Sequence, residues 1–221
     1  MPLTPVQASA MLDLQDKMNA KVDANWIETR NPFLRAAALE SAEAMDHVGW
    51  KWWKRQEKDL PQFQMELVDI WHFTLSTLII DCGGDHGLAT EVLCDTGINP
   101  AITFDGKVYD IASLSVLEKL ELQMGLATVR RYSLPLFFAL IEDAEMTLDD
   151  LYRKYVAKNV LNFLRQDNGY KSGTYIKEWA GKEDNVHLEE IVGQLDSQSP
   201  TFKDDLYAAL ELRYHELTQS A

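Results

Sequence analysis

The sequence predicts an all-α fold, a helical bundle core built on antiparallel helices, and three observations predict it. No segment sustains the alternation of apolar and polar residues that marks a half-buried strand. Segments of helical period follow one another along the chain, bounded by capping residues, Pro and Gly. One of them, Met65 to Ile80, is apolar on nearly every face, as a helix at the centre of a bundle has to be. The 221 residues are read as a single domain.

In chain order, the first helix is expected from about Thr4 to Asp23. The second opens at Asn31-Pro32, a capping residue followed by the proline that favours a first turn, and runs to about Lys58. Its Ala36-Ala37-Ala38-Leu39-Glu40 stretch has high helix propensity. Pro61 begins the third, and Gly83-Gly84 stops it. A mixed region over 81–110 holds a short helix near Leu88 to Cys94 and a connection containing Gly and Pro. Helices follow at about Ser113 to Arg131 and Leu134 to Glu145. Thr147 and Asp150 form a capping box for another that reaches about Arg165. Gln166 to Gly173 reads as a polar loop, and a last helix spans about Thr201 to Leu217.

Composition narrows the function classes. A net charge of -14 argues against a nucleic-acid coat, which needs a basic surface. Cys82 and Cys94 are the only cysteines, so a disulfide framework is not expected and a cytoplasmic or other reducing intracellular compartment is. Met1 to Ala10 carries no export signal, and Glu66, Asp69 and His72 interrupt the longest apolar stretch, so no membrane span is expected.

Those interruptions carry the chemistry. Glu66 and Asp69, three residues apart, share one face of an otherwise apolar helix, with Gln62 and His72 one turn either side. A buried carboxylate without a partner is costly, so the pair calls for a cation, a proton or hydrogen bonds. The preceding helix offers a matching pair, Glu40 and Glu43, with Asp46 continuing the spacing. Alone, such a pair is common on solvated faces. If the two helices pack antiparallel across their short connection, four carboxylates converge on an oxygen-only site suited to Mg²⁺ or Mn²⁺.

Positive charge gathers elsewhere. Lys158, Asn162 and Arg165 share a helical face, and Tyr170, Lys171, Lys177 and Lys182 follow a glycine-containing loop. A basic helix end that complements the macrodipole would look similar. Beside a metal site, the cluster fits a polyphosphate. Gln15 and Asn19 share a face and carry amides able to read a base edge, and the Trp50, Trp52, Trp53 cluster suits a base wall, core or dimer contact.

The run from Arg30-Asn31-Pro32-Phe33 through Asp46-His47 resembles the dimeric dUTPase family of the all-α NTP pyrophosphatase superfamily. Glu66-Leu67-Val68-Asp69-Ile70-Trp71-His72-Phe73 is similar to that family's second metal segment. Lys158 to Asn162, Gly169-Tyr170-Lys171 and Trp179 to Asn185 are similar to its phosphate and nucleotide segments. The resemblance implies a homodimer hydrolysing dUTP and dUDP to dUMP. It implies Glu40, Glu43, Glu66 and Asp69 as Mg²⁺ ligands, and of these Glu43 is the carboxylate expected to accept the proton of an attacking water. It assigns Gln15, Asn19, Trp53, His72 and Asn185 to base and sugar, and Lys158, Asn162, Arg165, Tyr170, Lys177 and Lys182 to phosphate. Residues 81–145 carry none of these motifs and are read as scaffold, lid or dimer contact.

Three rival readings stand beside this one: a relative preferring dCTP, a di-metal oxidation protein, and a non-catalytic interaction protein. The second expects Glu-x-x-His twice, whereas no Glu-x-x-His occurs and the acidic apolar helix carries only Asp69-x-x-His72.

Overall fold

A computed structural model describes residues 3–96, 101–196, 199 and 201–218. Among these, ten helices and two small hairpins make the molecule: α1 (Pro5–Val22), α2 (Trp26–Thr29), α3 (Phe33–Val48), α4 (Leu60–Asp81), α5 (His86–Cys94), β1 (Ala101–Phe104), β2 (Lys107–Asp110), α6 (Val116–Thr128), α7 (Leu134–Asp143), α8 (Leu148–Asp167), β3 (Glu178–Trp179), β4 (Lys182–Glu183), α9 (Asp184–Val192) and α10 (Phe202–Thr218). The fold is all-α, as the periodicity predicts.

Helix α4 is the axis. Asp59 caps its start by accepting from the Gln62 amide, with Pro61 in the first turn. Fourteen of its residues are then buried, Glu66, His72, Thr74 and Ser76 among them. Trp71 is wholly covered and stacks on Phe137 of α7 at 4.9 Å. Helices α1, α3 and α8 surround α4, and α6 packs behind α3. Helices α3 and α4 run antiparallel: the Asp59 amide donates to the His47 carbonyl, His47 faces Glu66, and Glu40 and Asp69 line one cavity further along the pair. No helix among the described residues is long and apolar enough to cross a membrane.

Several expectations need correction. The second helix stops at Val48 rather than Lys58, because Gly49 takes a left-handed conformation (φ 79°) that ends the helix. It begins at Phe33, with Pro32 rather than Asn31 in the capping position and no side-chain cap. Strands do occur. β1 and β2 pair antiparallel across Asp105-Gly106, both at positive φ, a turn whose Asp-Gly signal is present in the sequence. β3 pairs β4, and α9 follows where no helix is expected. The Gly- and Pro-bearing stretch 97–100 lies outside the described residues. The Thr147 capping box is present, and Thr4 forms a second with Gln7.

Replacing Trp71 with Ala removes a wholly buried, stacked tryptophan from this core, and a cost of about 3–5 kcal/mol is expected. Urea denaturation with unchanged m-value is the check; a loss below ~1 kcal/mol would place the core elsewhere.

Candidate functional site

Antiparallel packing brings the acidic pairs together. One carboxylate oxygen from each of Glu40, Glu43 and Glu66 lies within 4.8 Å of the other two. Burial, then the Asp69 and Glu43 charges, pushes the Glu40 carboxyl up to about 7. Burial, then the charges of Asp69, Glu40 and Glu43, pushes Glu66 up to about 8. Like charges crowded at the edge of a protein core raise each other in this way. His47 Nε2 stands 3.5 Å from Glu66. The fourth predicted ligand, Asp69, lies outside the triad's close group; its Oδ2 meets Lys158 Nζ at 2.9 Å. Asp46 is turned away, exposed and engaged with Trp50 and Lys51.

Beside these acids opens a cavity of about 380 Å³, lined by Glu40, Asp69, Gln15, Asn19, His72, Asn162, Arg165 and Tyr170, with Trp26, Phe33 and Phe73 among its apolar walls. The basic wall comes from α8. Lys158 is buried and also donates to Asn185 Oδ1 at 3.0 Å. Arg165 forks onto Asp184, Nε to Oδ2 and Nη2 to Oδ1, both at 2.8 Å, and donates through Nη1 to Asn162. Tyr175 donates to the same Asp184 carboxylate. Burial alone would raise the wholly covered Asp184, but the Arg165 bonds outweigh it and hold the carboxyl below its ordinary value.

The neutral wall comes from α1 and α4. Gln15 bonds Asn19, Ser76, Tyr155 and His72. Burial holds His72 down at about 4, so the imidazole is neutral at physiological pH.

Of the predicted residues, Gln15, Asn19, His72, Asn162, Arg165 and Tyr170 thus line the same cavity as Glu40 and Asp69, and Lys158 and Asn185 join it through their bonds. The structure does not bring Trp53 there. It sits in the turn between α3 and α4, 59% exposed, edge-on to Trp50 and Trp52. Lys177 and Lys182 also lie off the cavity lining, paired on the surface with Glu183 and Glu190. Sequence reasoning missed Asp184, Tyr175, Ser76 and Tyr155. Asp184 directly precedes the predicted Asn185, and a buried Arg needing a counter-charge is the signal that would have found it.

An all-α core that sets an acidic cluster beside a largely buried guanidinium offers the donors that a polyphosphate and its cation would need, the chemistry of a nucleotide-hydrolysing class of protein. A family model described as dUTPase matches residues 7–170, well over half the chain. The chain belongs to the all-α dUTPase family and is a dUTP diphosphatase. No curated protein matches it. Family membership implies a divalent metal. The triad fits one on its own chemistry: hard oxygen donors only, and charges that repel each other in the absence of a cation.

Two outcomes follow from these charges. Folded Glu40 and Glu66 hold protons that the unfolded chain releases near 4.5, so the metal-free protein loses stability as pH rises from about 4.5 to about 8. Thermal unfolding without metal should therefore show a lower midpoint at the alkaline end of that window, and added Mn²⁺ should raise the midpoint more there than at the acid end. A metal-free midpoint that climbs through the window contradicts the arrangement. Separately, Asp184→Ala strands a buried guanidinium and should cost about 3–5 kcal/mol. Equilibrium unfolding measures it, and a neutral result would show Arg165 satisfied by other groups.

Proposed function

We propose that the chain hydrolyses dUTP to dUMP and pyrophosphate, and dUDP to dUMP, in a Mg²⁺-dependent reaction with Mn²⁺ able to substitute, and so limits uracil incorporation into DNA. The observation that carries the reading is the triad of Glu40, Glu43 and Glu66 beside the cavity that Arg165 lines.

Glu40, Glu43 and Glu66, with Asp69, would hold the ion, which when bound neutralises charge on phosphate oxygens and makes water more acidic. Glu43 is the exposed member of the triad, where a water can reach it. It accepts the proton of the attacking water. Water's oxygen bonds to phosphorus as the phosphoanhydride between the α and β phosphates breaks, and pyrophosphate leaves with the electron pair. Arg165, Lys158, Asn162 and Tyr170 orient the phosphates and meet the charge that grows on the leaving group. The Asp184 fork fixes the guanidinium before substrate arrives, so no reorganisation is needed during reaction. Gln15, Asn19, His72 and Asn185 take the base and sugar, with Phe33 and Phe73 supplying apolar walls.

Lys177 and Lys182 are not part of this assignment, since each has a surface carboxylate partner away from the cavity. Trp53, with the exposed Trp50 and Trp52, is assigned instead to the contact between two copies in a homodimer; exposed clustered Trp is typical of such surfaces. Free Cys82 and Cys94 support an intracellular, reducing location.

The test is an assay of purified protein against dUTP, dUDP, dCTP and dTTP with and without Mg²⁺. Pyrophosphate should appear from dUTP, and chelation should stop it; equal turnover of dCTP would favour the dCTP-preferring relative. Glu43→Gln should lower kcat by ~10²-fold or more. The same change relieves charge repulsion, so the metal-free thermal midpoint should not fall. Full turnover by this variant at saturating Mg²⁺ removes Glu43 from the base role.

A further inference from the structure

The neutral end of the cavity contains a closed hydrogen-bond chain whose direction can be worked out proton by proton. Gln15 and Asn19 lie one turn apart on α1, and His72 and Ser76 one turn apart on α4, so the two pairs meet where the helices pack. Tyr155 of α8 completes the group, and all five side chains are buried. Ser76 Oγ has a single proton, which it donates to the His72 carbonyl at 2.9 Å, the backbone acceptor one turn earlier. With that proton committed, the hydroxyl only accepts. Both amides answer it: Gln15 Nε2 and Asn19 Nδ2 each donate to Ser76 Oγ at 2.9 Å. Gln15 Nε2 uses its second proton on Asn19 Oδ1 at 3.0 Å.

The Gln15 nitrogen is thereby turned toward Ser76 and its carbonyl oxygen away. That oxygen stands 2.8 Å from His72 Nδ1 and 3.0 Å from the Tyr155 hydroxyl, whose single proton it shares with the Met11 carbonyl at 2.9 Å. An amide oxygen facing Nδ1 requires the proton to be on Nδ1. A neutral imidazole has one such proton, so Nε2 is left as a bare lone pair. Nε2 is buried with no protein partner, on a ring that lines the cavity. Tyr155 lies against the same ring at 4.4 Å between centroids and fixes its plane.

We propose that Ser76 is a positioning residue for base selection: its accept-only hydroxyl sets the polarity of the Gln15 and Asn19 amides, fixes His72 as the Nδ1–H tautomer, and leaves Nε2 to accept from the N3–H of uracil. The inference rests on the assignment of this cavity to the base. Uracil presents a donor at N3, whereas cytosine presents a lone pair there, which would face the lone pair of His72. A buried polar atom left unpaired in this way is a strong means of rejecting the wrong base. Amides turned the other way would reverse the choice. Thymine carries the same N3–H, so this device does not act on it.

Proton–nitrogen correlation NMR on the metal-free protein reads the tautomer directly, and wild type should show a protonated Nδ1 and a bare Nε2. Ser76→Ala should give mixed tautomers. With Mg²⁺ present, the preference for dUTP over dCTP in kcat/KM should fall by about tenfold in Ser76→Ala. The loss should come through KM, with kcat for dUTP kept, and the dUTP to dTTP ratio should hold. Ser76→Thr, which keeps the acceptor, should restore the dCTP discrimination. A wild-type protein protonated at Nε2, or a Ser76→Ala protein with the original dUTP to dCTP ratio, overturns the proposal. The wild-type tautomer needs no variant, so the proposal stays open to refutation even where Ser76→Ala is unstable. If His72→Ala leaves KM for dUTP unchanged, the base lies elsewhere; that overturns the N3–H contact while dUTP hydrolysis itself stands.

Discussion

The molecule is organised around one electrostatic constraint: carboxylates held in the seam between two helices, one of which is buried almost all round. Helix α4 covers most of its surface with neighbours, so Glu66 and Asp69 cannot turn to bulk water as acids on a surface helix do. The antiparallel pairing with α3 sharpens the difficulty by adding Glu40 and Glu43. Protons, cations or both have to relieve it. The raised Glu40 and Glu66 carboxyls and the Lys158 ammonium on Asp69 are the protein's own answers. A divalent ion among the oxygen donors of the triad would relieve the same repulsion.

The basic wall follows a related logic with a different outcome. Arg165 and Asp184 are both largely buried, and two parallel hydrogen bonds with a third from Tyr175 satisfy the carboxylate. Such a pair contributes little net stability, because desolvation offsets attraction. Its value is geometric: the guanidinium is locked in place on the cavity wall. Lys158 differs, since its partner Asp69 also belongs to the acidic group, so the two walls are coupled through one ion pair.

How much of this is legible in the residues alone depends on whether the physics is local. Acids on an apolar helix reveal themselves because solvated faces do not carry that many Leu, Ile and Val, and i,i+3 spacing fixes their common side. The α3 pair gains meaning only by proximity to α4, a tertiary fact that the short connection suggests without requiring. Direction is the harder quantity. Lys177 and Lys182 follow α8 in sequence, yet the β3–β4 hairpin region carries them to surface carboxylates. The Trp cluster reads equally as wall, core or contact, and only the three-dimensional structure shows Trp52 at 87% exposure. Four-residue strands offer too few alternations to stand out from loop, so β1 and β2 are marked by their Asp-Gly turn and little else.

Charge and polarity divide the cavity's work. The acidic and basic walls act through fields that fall slowly with distance, so they cannot by themselves tell one base from another. Discrimination between bases has to come from short, directional contacts, and those are useful only if their donors and acceptors cannot flip. An exposed Gln or Asn amide turns over at almost no cost and would accept either base. Burial changes that. Once Gln15, Asn19, Ser76, Tyr155 and His72 are buried against one another, reversing any one amide leaves at least one of its neighbours unpaired, and the penalty propagates along the chain. The same α1–α4 contact that completes the core therefore gives a neutral, uncharged wall a fixed direction.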